Sequence, residues 1–137
     1  MTTNLELDQI INKLDFKNKY LGCYSRDQLN ELKCPDNYFL ISNTDSSEHR
    51  GSHWTMLWKQ DKTKIFFCSF GSRIFNEAKQ LLGNNVLCST FRIQDWGSVI
   101  CGELCILVAY LLDKGIQFED IILELVKIEE NTNKLND

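Results

Sequence analysis

The sequence predicts an α+β protein: a small mixed or antiparallel sheet flanked by helices, one of them nearly all apolar and therefore central. Three observations carry this. Short runs of β-branched and aromatic residues lie between residues 38 and 93, separated by polar turns. Segments with apolar residues at helical spacing stand at both ends of the chain. Between them, "CGELCILVAYLL" (Cys101–Leu112) carries one charge in twelve residues.

The elements follow in order. In "TNLELDQIINKLDF", Thr3 and Glu6 form a capping-box pattern, and Leu7, Ile10, Ile11 and Leu14 recur on one helical face. Ser25–Lys33 reads as a short second helix capped by Ser25. Tyr38–Asn43 and His53–Lys59 read as strands joined by the polar loop "TDSSEHRGS". The turn "QDKT" leads to a strand over Lys64–Phe70, so these last two form a hairpin. "RIFNEAKQLLG" is an amphipathic helix stopped by Gly83, and Val86–Ile93 is a further strand. After the loop "QDWGSVI" comes the apolar helix, from about Gly102 to Leu112. In the last helix, Phe118, Ile121, Ile122, Leu125 and Ile128 mark the inward face, and residues 130–137 are expected to fray.

At 137 residues the chain is expected to be one domain spanning 1–137, with 43% hydrophobic and 25% charged residues. No apolar run reaches membrane-spanning length, and the N-terminus lacks the basic flank and apolar run of a secretion signal. Net charge is −4 and the basic residues are scattered, so electrostatics offers no footprint for nucleic acid. Six cysteines without a CxxC pair, with His49 and His53 far in sequence from the close pair Cys101/Cys105, are expected as free thiols rather than disulfides or metal ligands.

Chemistry is sought first at Cys101. It opens a helix, where unpaired amides and the macrodipole favour a thiolate. Gly102 lets a substrate backbone approach. A nucleophilic thiol needs a base, and His53, at the start of a strand and shielded by Trp54, is a better candidate than His49 in the polar "SSEHR". The amide of Gln94 would serve as an oxyanion donor beside the Cys101 N–H. Taken singly, each has an ordinary reading as well: Cys101 as packing, His53 as a half-buried structural histidine, Gln94 as a loop cap.

The order and spacing of these residues resemble a known family. Asn43-Thr44, Gly51-Ser52-His53-Trp54, Phe67-Cys68-Ser69-Phe70-Gly71, and Gln94 followed after six residues by Cys101-Gly102 stand in that sequence. This set resembles the adenovirus-type maturation proteases, the adenain family of cysteine peptidases, which is related in fold to the SUMO and ubiquitin-like-protein proteases. Tyr20–Asp27 is similar to a segment of the same family, and the resemblance covers roughly residues 20–112. It implies a viral cysteine endopeptidase that cleaves precursor polypeptides, capsid proteins among them, after small residues or glycine during particle maturation. Cys101 would be the nucleophile, His53 its base and Gln94 part of the oxyanion hole. From their positions, Trp54 and Trp96 are expected to form a narrow substrate channel, with Gly102 admitting the substrate backbone. The implied setting is the virion or the host-cell cytoplasm, and the implied state a monomer.

Two departures qualify the resemblance. Cys68 stands where the family places an acidic residue or asparagine to orient the imidazole. A Cys101–His53 dyad is the favoured consequence. A substituting water or carboxylate, or a binding module that has lost activity, are the others. The chain is also much shorter than adenain, as in the compact proteases of virophages and polinton-like viruses, so the peptide and DNA cofactors of adenain are not carried over and none is expected. The competing enzyme reading is a deubiquitinase or deSUMOylase acting on a host modifier.

Overall fold

A computed structural model describes residues 2–44, 53–93 and 100–136, the side chains as far as residue 131. Helix α1 (Asn4–Lys13) opens with the expected capping box: Thr3 Oγ1 accepts from the Glu6 amide at 3.2 Å and the Glu6 carboxylate accepts from the Thr3 amide at 3.3 Å. It buries Leu7 and Ile11, while Ile10 and Leu14 stay exposed.

Five strands form one mixed sheet in the order β1-β2-β3-β4-β5: Tyr20–Tyr24, Tyr38–Asn43, Trp54–Gln60, Thr63–Phe67 and Leu87–Cys88. The centre is antiparallel, with Asn43 opposite Trp54 and Met56 opposite Phe67. β1 and β5 join the two edges in parallel. The expected hairpin is present, with Gln60 paired to Thr63 and Asp61 in the left-handed region.

All six residues of β2 are buried, because both faces of the sheet are covered. One face presents Phe39, Ile41, Met56, Trp58 and Phe67 to α1 and to helices α3 (Cys101–Asp113) and α4 (Phe118–Asn136). The other presents Tyr38, Leu40, Leu57, Phe66 and Cys68 to helix α2 (Asn76–Leu82) and to Leu29. Leu29 belongs to a 3₁₀ turn at Arg26–Glu31, the observed form of the helix expected over Ser25–Lys33. Arg26 Nε ties this turn to α2 through both Glu77 oxygens, at 2.8 and 2.9 Å. The buried Asp113 closes the other layer: its carboxylate accepts from the amides of Lys17 and Asn18 at 2.7 and 2.9 Å.

Several elements differ from the sequence expectation. β1 is an unexpected strand. The strand expected over Val86–Ile93 shrinks to Leu87–Cys88, because the chain turns away from the sheet once the Ser89 hydroxyl takes the Phe91 amide at 3.3 Å. In α4, Ile128 faces solvent at 48% exposure and Glu129 takes the buried position, one turn after Leu125. Its backbone stays helical as far as Asn136, within the segment expected to fray. Among the described residues no helix is long and apolar enough to cross a membrane.

Candidate active site

The site forms where the N-terminus of α3 meets the start of β3. Cys101 is the first residue of α3, preceded by Ile100, which provides no side-chain cap. Its Sγ accepts instead from the Trp54 amide at 3.4 Å, which seats the thiol against the peptide unit joining His53 to Trp54. One turn along, Cys105 Sγ donates to the Trp54 carbonyl at 3.5 Å. Both backbone polar groups of Trp54 are thus held by α3 thiols. The sequence suggests only packing for Cys105; its anchoring bond depends on the register of α3 against β3.

His53 is 4% exposed. Its carbonyl accepts from the Thr44 amide at 3.1 Å, and its Nε2 lies 3.2 Å from Cys68 Sγ. The position where the resembled family carries an acid is therefore the position that meets the imidazole here. The other ring nitrogen, Nδ1, is buried and has no hydrogen-bond partner among the described residues. The sequence assigns the shielding of this ring to Trp54. In the structure Phe70 shields it, stacked at 3.9 Å between centroids and 8° between planes, with the Arg92 guanidinium 5.4 Å from the Phe70 centroid.

Phe70 is aimed by the turn that ends β4. The Gly71 amide donates to Cys68 O at 2.9 Å, and Gly71 has φ +68°. A Cβ there would come within 2.8 Å of the Thr90 carbonyl, so glycine is required twice over. The Ile93 amide donates to Ser69 O at 2.8 Å, bringing the segment that feeds Gln94 beside this turn. Gln94 and Trp96 themselves lie outside the described residues. Trp54 and Gly102 meet at the helix start: a Cβ on Gly102 would stand 3.2 Å from the Trp54 ring and 2.7 Å from Leu7 Cδ2.

The electrostatics differ from the expectation of a helix-stabilised thiolate. Burial pushes the Cys101 thiol up, and the amides of Trp54 and Gly102 pull it back only in part, while the Glu103 carboxylate raises it further. Burial also lowers His53 to about 4. Both shifts favour the uncharged forms, and Nδ1 makes no hydrogen bond to Cys101 Sγ. All six cysteines are free thiols. Among the described residues no group of three or more histidine, cysteine or acidic side chains is arranged to hold a metal ion.

The chain matches no protein-family model, and no curated protein matches it.

Proposed function

We propose that this chain is a cysteine endopeptidase in which Cys101 is the nucleophile and His53 the base. One observation carries the reading. The two nitrogens of a buried imidazole are differentiated, Nε2 engaged by Cys68 and Nδ1 left without a partner, in the residue whose peptide bond lies on the Cys101 thiol. A proton on Nε2, directed at Cys68 Sγ, leaves the Nδ1 lone pair as the basic site.

The resting pair is neutral, so proton transfer accompanies attack. Nδ1 takes the thiol proton as Sγ bonds to the scissile carbonyl carbon. The oxyanion is met by the Cys101 amide, in the first turn of α3, and in the resembled family's pattern by the Gln94 side chain. Collapse of the tetrahedral species breaks the C–N bond, and Nδ1–H protonates the leaving amine. Water, deprotonated by the same nitrogen, then hydrolyses the thioester and restores the thiol.

The resemblance extends the proposal to the substrate: viral precursor polypeptides, capsid proteins among them, cut after small residues or glycine during particle maturation. The setting is the virus particle or the cytoplasm of the infected cell, and the working unit a monomer. A second reading, a binding module, is favoured by one observation, the weak acceptor Cys68 in the acid's place.

Incubation of the purified chain with unfolded protein substrates, and with peptides carrying Gly-Gly before the scissile bond, tests the assignment. Cleavage abolished in both Cys101→Ala and His53→Ala is the expected result. Binding of a precursor by the native chain with no cleavage selects the second reading.

A further inference from the structure

The surface of Trp54 and Gly102 next to the candidate nucleophile is occupied by the chain itself. The Trp54 indole Nε1–H donates to the Thr2 carbonyl at 2.9 Å, and the Thr2 hydroxyl donates to the Glu103 carboxylate. Glu103 is the third residue of α3. An acid there commonly folds back on the amide at its own helix start; here it binds the N-terminal segment. Leu7, five residues further along, fills the space that a side chain at Gly102 would need. Trp54, whose amide meets the Cys101 thiol, and residues 102–103, which follow Cys101 in α3, thus carry N-terminal residues, and Cys101 itself is 1% exposed.

The contacts to Thr2 use polypeptide chemistry: a main-chain carbonyl taken by an indole N–H and a hydroxyl taken by a carboxylate. Only the residue ahead of α1 has to move to free them, because the capping box starts at Thr3. We propose that Trp54 Nε1 and Glu103 form a binding site for an extended polypeptide main chain bearing a serine or threonine, and that Thr2 occupies it at rest as an autoinhibitory strap over Cys101. This rests on the protease reading for its purpose, but not for its test.

The test is the rate at which N-ethylmaleimide labels each cysteine, followed by mass spectrometry on the native chain and on Thr2→Val and Thr2→Ser. Valine keeps the shape and removes the hydroxyl; serine keeps the hydroxyl. Labelling of Cys101 several-fold faster in Thr2→Val, at the native rate in Thr2→Ser, with exposed Cys88 unchanged and buried Cys105 unlabelled throughout, is the expected result. Equal Cys101 rates in all three, equal acceleration in both variants, or labelling of Cys105 overturns the strap. Peptide hydrolysis measured on the same samples separates the two ideas. The expected labelling pattern without any hydrolysis leaves the strap standing and removes the protease. Hydrolysis with flat labelling does the reverse.

Discussion

His53 Nε2 and Cys68 Sγ face each other at 3.2 Å across the ends of β3 and β4, both buried. A thiol is a weaker hydrogen-bond partner for the imidazole than the carboxylate or amide that the resembled family places there. On the proposed reading, His53 would act as a base from the neutral ring.

Replacing Cys68 measures how much that contact does. Cys68→Ala removes a weak sulfur acceptor, worth about 1 kcal/mol or less, so kcat/KM should fall only a few-fold. Cys68→Asp sets a carboxylate against Nε2 and favours the protonated ring. The expected outcome is an upward shift of the acidic limb of the pH–rate profile, read with a peptide substrate. An unmoved limb would mean that residue 68 does not govern the base.

The neutral resting pair has its own signature. Labelling of Cys101 by iodoacetamide should climb with pH toward its raised thiol pKa, with no fast plateau near pH 6. An ion pair would give that plateau, and its observation would refute the electrostatic account of the site.

Stability should respond to His53 as well. Above pH 6.5 the imidazole is neutral in folded and unfolded chains alike. As pH falls below 6.5 the unfolded chain takes up a proton that the folded chain refuses down to about 4. Stability is therefore lost over that window, by about 1.4 kcal/mol per pH unit. His53→Phe should flatten the window in urea denaturation at pH 4.5 and 7. It should also raise stability at pH 7 by about 1 kcal/mol, because it removes the unsatisfied Nδ1. A steeper dependence in the variant would be inconsistent with a buried neutral ring.

Asp113 provides a test far from the site. Asp113→Ala leaves the amides of Lys17 and Asn18 without their acceptor, and unfolding by urea should show a loss of about 2–3 kcal/mol. Cys101 labelling in the folded variant should be unchanged.

Much of this fold is legible in the sequence because the signals are local. Thr3 and Glu6 announce α1, Gly83 ends α2, and the turn at Asp61 announces the β3–β4 hairpin. What is hidden depends on tertiary placement. β1 carries Gly22 at φ +125° and a register irregularity between Tyr20 and Cys23, so its side chains show no alternation to read. Val86–Ile93 has strand-forming composition, but the Ser89 hydroxyl bond wins over the ladder. At the site, the residue types at 53, 68 and 101 are visible as a motif. The Phe70 stack is not, because it depends on the turn at Gly71, and the Thr2 contacts are not, because nothing local links residue 2 to residue 103. The helix-start argument for a thiolate misleads for a related reason. It counts the amides, which the sequence locates, and omits the burial, which only packing supplies.

The three contacts that define the site differ greatly in the length of chain they close. His53 and Cys68 are 15 residues apart, Trp54 and Cys101 are 47 apart, and Thr2 and Glu103 are 101 apart. The first belongs to a hairpin, which forms fast and early; the others wait for α3 to dock. A growing chain therefore acquires its imidazole–thiol contact well before its candidate nucleophile is in place. The contact made by the proposed strap spans the longest loop of the three. Order of assembly is thus written into the spacing of the residues: the 53–68 contact first, the 54–101 contact second and the 2–103 contact with the final closure.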